Sequence, residues 1–145
     1  MLDTVTHTTA LLPPGKPRYF MGLGDPEGLV EMIARGVDMF DCVLPTRLGR
    51  TGSAFTWDGR LNLRNARFAR DPEPLDAACT CTTCTRFSRA YLRHLVTQHE
   101  VLALRLLTVH NLSFLLNLTR DARDAIRAGT FAAFLDASLT RLASH

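Results

Sequence analysis

Residues 18–44 read RYFMGLGDPEGLVEMIARGVDMFDCVL. Arg18 to Gly24 is a short apolar run ending in glycines, the pattern of a buried strand followed by a loop. Asp25, Pro26 and Glu27 then mark a helix start. An aspartate can cap the first free N–H groups, a proline suits the first turn, and a glutamate complements the helix dipole. Leu29, Val30, Met32 and Ile33 give that helix an apolar face, and Gly36 ends it. Val37 to Leu44 is a second strand-like run. Strand, helix of about ten residues, strand is the unit of a parallel sheet, so the fold class reads as α/β. Asp38 and Asp41 interrupt the second run. An acidic group at the C-terminal end of a parallel strand sits where barrel enzymes keep their chemistry. The plainer reading of Asp41 is a turn or helix-capping aspartate.

Downstream, Pro45 to Gly52 reads as a loop with two arginines and two glycines. Ala54–Trp57 and Arg60–Leu63 flank Asp58-Gly59, a strong two-residue hairpin signal. Residues 64–78 look irregular and carry Arg64, Arg67 and Arg70. From Arg86 the apolar residues Phe87, Ala90, Tyr91, Leu95, Leu102 and Leu106 follow helical spacing, and His110-Asn111 breaks the stretch. A further helix carries Leu112 to Ile126 and stops at Gly129; a last short one carries Phe131 to Leu139. Upstream, Pro13, Pro14, Gly15 and Pro17 predict an irregular segment over residues 1–17.

The 145 residues are 46% hydrophobic and 21% charged, which suits one globular domain and excludes whole-chain disorder. No apolar run approaches the ~20 residues of a membrane span, and the N-terminus lacks a secretory pattern, so a cytoplasmic protein is expected. Seventeen basic against fourteen acidic residues leave +3, which permits an anionic partner without requiring one. Lys16 is the only lysine. A coding bias explains the arginine excess most simply, although arginine also suits forked contacts to phosphates and bases.

Cys42 stands alone, whereas Cys79, Cys81 and Cys84 lie within six residues. Three close cysteines without a signal peptide favour metal over disulfides, and free buried thiols are the alternative. Structural zinc takes four ligands, commonly thiolates with one imidazole. The histidines available are His7, His94, His99, His110 and His145. His110 is preferred to His94, provided that the chain bends back before it.

In order and at matching spacing, GVDMFDCVLPTR, the arginine loop, GSAFTWDG, the CxCxxC cluster, SRAYL and TVHNL resemble the C-terminal part of the bacterial tRNA-guanine transglycosylase (queuine tRNA-ribosyltransferase) family. The resemblance runs over about residues 16–140. It implies the C-terminal portion of a (β/α)8 TIM barrel with an inserted zinc-binding subdomain, incomplete as a barrel on its own. The barrel part would span 18–145, with the zinc subdomain at about 54–110 and C-terminal helices at 111–142. It implies exchange of guanine at the wobble position of the tRNAs for Asp, Asn, His and Tyr against 7-aminomethyl-7-deazaguanine, a queuosine precursor. By this resemblance Asp41 matches the nucleophile, and Cys79, Cys81, Cys84 and His110 match the ligands of one structural Zn2+. Thr46, Arg47, Leu48, Gly49 and Arg50 match a loop reading the wobble base and its neighbours. Gly22, Leu23, Gly24, Asp25, Pro26, Glu27 and Gly28 match a second tRNA-contacting loop, and Met21 a residue packing on the base. Full-length family enzymes are homodimers. A general acid-base aspartate and most of the base pocket belong to an N-terminal half absent from these residues, so little activity is expected alone. A non-catalytic zinc module that binds tRNA or a partner subunit is the alternative.

Overall fold

A computed structural model describes residues 1–143. The chain runs α1 (Leu2–Leu11), β1 (Tyr19–Met21), α2 (Pro26–Ala34), β2 (Met39–Asp41), α3 (Leu44–Arg50), β3 (Ser53–Thr56) and β4 (Gly59–Asn62). A single 3-10 turn (Ala66–Phe68) follows, then α4 (Arg89–Thr97), α5 (Val101–Arg127) and α6 (Phe131–Leu142).

The strand–helix–strand unit forms as its sequence predicts. Asp25 caps α2 by accepting the Gly28 N–H at 2.7 Å, and Pro26 occupies the first turn. The strands pair in parallel with Tyr19 opposite Met39, Phe20 opposite Phe40 and Met21 opposite Asp41. Side chains alternate across a strand, so the two faces separate cleanly. Phe20 and Phe40 pack with Val5, Leu23, Met32 and Val37. Tyr19, Met21, Met39 and Asp41 share the other face and are exposed. Both sheets have two strands, so the described residues form a small α/β domain with no closed barrel.

The 27-residue α5 is the element against which the rest is arranged. Leu107 and Ala103 meet Leu92, Leu95 and Val96 of α4 together with Leu63, Phe68 and Leu75. Phe114 and Leu118 meet Val30 of α2, Leu48 of α3, Phe55 of β3 and Leu142 of α6. Each of the Val, Leu and Phe side chains contributes about 1.5–3 kcal/mol through burial. Helix α5 is long and apolar enough to cross a bilayer by length and composition. Its buried face, however, is spent on these contacts and on two polar residues, His110 and Asn111, both fully buried.

Several local expectations are corrected. Residues 1–17 are not irregular throughout. Nothing before Pro13 breaks a helix, and α1 buries Val5 and Thr9 and packs Val5 with Met32 of α2. The arginine loop is helical: Cys42 Sγ accepts the Leu44 N–H at 3.2 Å where α3 begins. Gly49 is there for closeness rather than for a turn. A Cβ at Gly49 would lie 2.6 Å from Thr108 Oγ1 of α5. In the hairpin Thr56 pairs with Gly59, so Trp57 and Asp58 form the turn and Gly59 takes φ +87° after it. That is the turn-plus-glycine solution of a short hairpin rather than a turn centred on Asp58-Gly59. Residues 86–88 precede α4, which Ser88 caps by accepting the Tyr91 N–H. Finally, His110-Asn111 does not break a helix. The break lies at Gln98–Glu100, where His99 adopts φ 59°. Tertiary hydrogen bonds hold His110 and Asn111 inside α5 against their weak helix preference.

Candidate functional site

Cys79, Cys81 and Cys84 sit on the loop that leads into α4, and His110 sits three turns into α5. The reversal at His99 returns the chain so that the imidazole meets the thiols. The four donor atoms lie within 4.8 Å of one another. His110 Nδ1 is 3.3 Å from Cys84 Sγ and 3.6 Å from Cys81 Sγ. A tetrahedral zinc with bonds of ~2.3 Å to sulfur and ~2.0 Å to nitrogen has N···S edges of about 3.5 Å. The donor set therefore fits a single metal ion of that size. His94 and His99 are exposed and stand outside the group. His7 likewise stands outside it, and His145 lies beyond the described residues.

The second layer supports the same assignment. His110 Nε2 lies 2.7 Å from the Phe55 carbonyl oxygen, which fixes it as the protonated nitrogen and leaves the Nδ1 lone pair facing the thiols. Thr83 donates its hydroxyl to the Leu106 carbonyl at 2.8 Å and ties the cysteine loop to α5 one turn before His110. Without a metal the cluster shares its protons. Hydrogen bonding from Cys84 holds the Cys81 thiol down at about 3, against an opposing effect of burial. The hydrogen bond to Cys81 and burial push Cys84 up. Burial alone would lower His110, but hydrogen bonds to Cys79, Cys81 and the Phe55 carbonyl outweigh it and raise the imidazole to about 9. A metal cation would replace those protons.

Two buried polar residues that the sequence reading did not single out frame the cluster. Asn111 Oδ1 accepts the Phe55 N–H at 2.9 Å, and its Nδ2 donates to the carbonyls of Pro45 and Ser53. One side chain thus joins α5 to the hairpin and to α3. Asp76 accepts the N–H groups of Trp57 and Ala78 and holds the cysteine loop to the hairpin turn.

The second candidate centre is Asp41, at the C-terminal end of β2. Its Oδ1 accepts the Tyr19 hydroxyl at 2.6 Å and the Gly22 N–H at 3.1 Å. Those bonds, Tyr19 first, keep its carboxyl below the ordinary value, and the same contact raises the Tyr19 phenol. Asp41 itself is exposed on the open face of the strand pair. Tyr19 is a residue that pattern reading missed. Its place beside Asp41 follows only from the parallel register, which sets Met21 opposite Asp41 and Tyr19 one step away on the same face. Asp38 instead accepts the Arg18 N–H at 2.8 Å and braces the strand starts.

Met21 is 76% exposed beside Asp41. In the following turn Gly22 is exposed, Leu23, Gly24 and Pro26 are buried, and Asp25 and Gly28 form the cap while Glu27 points to solvent. On α3 Arg47 and Arg50 are exposed, Thr46 donates to the Val43 carbonyl, and Leu48 and Gly49 face the core. The two tRNA-loop candidates therefore flank Asp41.

A family model described as queuine tRNA-ribosyltransferase matches residues 1–144. A queuine tRNA-ribosyltransferase of Herpetosiphon aurantiacus is 58% identical over 141 residues, which cover 97% of this chain and 36% of that protein. One from Desulfosudis oleivorans is 59% identical over 133 residues, covering 92% and 35%. One from Sphingopyxis alaskensis is 58% identical over 134 residues, covering 92% and 36%. The chain spans about a third of the length of these curated relatives, and it is a member of the queuine tRNA-ribosyltransferase family.

Proposed function

We propose that this chain carries the nucleophile, the anticodon-reading segments and the structural zinc site of a tRNA-guanine transglycosylase. The observation that carries the reading is the state of Asp41. It is ionised, exposed and at a parallel strand's C-terminal end, with Oδ1 held by two donors. Oδ2 attacks C1′ of the wobble ribose, a C–O bond forms, the C1′–N9 bond breaks, and its electron pair leaves with guanine. The incoming base, 7-aminomethyl-7-deazaguanine, then attacks C1′ from the other side and releases Asp41. Two displacements retain configuration and give ping-pong kinetics. The leaving base needs a proton, which falls to a general acid outside these residues.

Reaching C1′ requires the wobble base to leave the anticodon stack. Met21 packs on the flipped base. Arg47 and Arg50, one turn apart on the exposed side of α3, hold flanking bases and phosphates through forked donors. Thr46, Leu48 and Gly49 set the position of that helix, and Gly22 to Gly28 form the opposing wall. The RNA is the tRNA for Asp, Asn, His or Tyr, in the cytoplasm, and the complete enzyme is a homodimer. Cys79, Cys81, Cys84 and His110 hold Zn2+, which supplies a structural crosslink because four protein ligands leave no open position. The zinc-binding subdomain spans about 54–110 and the C-terminal helices 111–142, as an insertion in and end of a (β/α)8 barrel. The exposed face of β1 and β2 supports this, since parallel strands are normally covered on both sides.

Incorporation of labelled guanine into unmodified tRNA tests the reading, with the chain alone and with the N-terminal part of a relative added. Exchange in the mixture, abolished by Asp41→Asn together with the covalent RNA adduct, is the expected result. An adduct persisting in Asp41→Asn would remove Asp41 from its role. Zinc binding without exchange in either case would favour a non-catalytic module.

A further inference from the structure

Residues 42–70 contain six arginines and one acidic residue, Asp58. Asp58 is occupied by Arg141 at 3.6 Å. Part of the remaining charge meets around Gly52. A Cβ there would lie 2.7 Å from Val96 of α4 and 3.8 Å from the Arg64 side chain, and the residue takes φ +81°. Only glycine lets these segments meet so closely. Gly52 follows the end of α3 at Arg50 by two residues, and the Arg64 side chain lies against it. Arg93, one turn before Val96 on α4, completes the group, with its Nε donating to the Asn65 carbonyl at 3.0 Å. That bond orients the guanidinium and leaves both terminal nitrogens free. Among the described residues no carboxylate pairs with Arg47, Arg50, Arg64 or Arg93.

We infer that Arg64 and Arg93 extend the Arg47–Arg50 contact surface into a continuous track for the phosphodiester backbone of the RNA, running from Asp41 along α3 to α4. This rests on the proposed RNA substrate and adds to it two residues outside both anticodon-reading segments. Guanidinium forks match phosphate oxygens, and contacts of this kind position a nucleic acid without reading its sequence. Arg64 and Arg93 should therefore govern affinity and its salt dependence but not discrimination between anticodons.

Binding of an anticodon stem-loop RNA to the metal-loaded chain, followed by fluorescence anisotropy from about 50 to 200 mM salt, tests this. Each lost phosphate contact lowers the slope of log K against log salt by about 0.7–0.9, or about 3-fold in affinity over that range. Arg64→Gln and Arg93→Gln should each show this loss, equally for cognate and non-cognate stem-loops, with metal content unchanged. Arg127→Gln, about 28 Å along α5 from Thr108, should leave the slope unaltered. A wild-type slope in Arg64→Gln and Arg93→Gln, with Arg47→Gln and Arg50→Gln still weakened, would overturn the track and leave the proposed function standing. Equal losses in all five variants would overturn the track in favour of diffuse attraction. No RNA binding by the wild-type chain would overturn both.

Discussion

The cysteine–histidine cluster and the Asp41 face are built on opposite principles. At the cluster every group has a partner within the chain: Nε2 of His110 on Phe55, Asn111 on three backbone groups, Thr83 on Leu106. At Asp41 two donors hold one oxygen of an exposed carboxylate, and its neighbours Tyr19, Met21 and Met39 are 56%, 76% and 52% exposed. A closed polar network specifies a structure. An exposed parallel-sheet face is an unfinished surface awaiting cover. Stability should therefore respond to the first region and chemistry to the second.

The largest effect expected is loss of the metal. A chelator, or Cys81→Ser, should reduce bound zinc from one per chain to a small fraction, measured by elemental analysis, and remove several kcal/mol of stability. Structural zinc sites carry about 10–16 kcal/mol of apparent binding energy in small peptides, and here the site joins α5 to the loop before α4. Retention of the thermal midpoint after complete metal removal would contradict this account of the cluster. Next comes Asn111→Ala. It strands the buried Phe55 N–H and the Ser53 carbonyl, each costing ~1–3 kcal/mol, so about 2 kcal/mol or more should vanish in a urea titration. A loss below ~1 kcal/mol would mean that water replaces the amide.

Asn111 also marks the limit of what the sequence makes legible. The strand–helix–strand unit, the caps at Asp25 and Pro26 and the cysteine trio follow from local pattern, whereas the preference for His110 rests on a helix break that the structure has at His99 instead. Local pattern also presents His110-Asn111 as a helix break and Gly49 as a loop residue. Both are the same error: weak helix formers are placed in helices because of what they touch far along the chain. His110 reaches Phe55, and Gly49 touches Thr108. The bend that His110 needs is at His99, whose φ of 59° no pattern announces. Gly49→Ala tests the packing explanation. Its Cβ would meet the Thr108 backbone N at 3.0 Å as well as Oγ1, so Thr108→Ala should rescue little. A cost of about 1–3 kcal/mol is expected, and a stabilised Gly49→Ala chain would show that helix propensity, not closeness, governs the site.

The smallest effect on stability belongs to the open face. Tyr19→Phe removes one exposed hydrogen bond and should leave the unfolding free energy close to wild type. Its effect on Asp41 is directional. The Tyr19 hydroxyl is the leading cause of the lowered carboxyl value, with the Gly22 N–H second. Removing the first leaves the second, so the Asp41 titration moves up toward, but not beyond, the ordinary value near 3.9. A group with a depressed folded value contributes stability above its unfolded value and loses it as the pH falls through the folded one. Wild-type and Tyr19→Phe stabilities should therefore differ above about pH 4 and converge in stronger acid. Carbon NMR of the Asp41 carboxyl reads the shift directly, and an unmoved titration in Tyr19→Phe would show that the hydroxyl does not hold Oδ1 in solution. The same substitution should leave bound metal at one per chain, because nothing in the closed cluster depends on the open face.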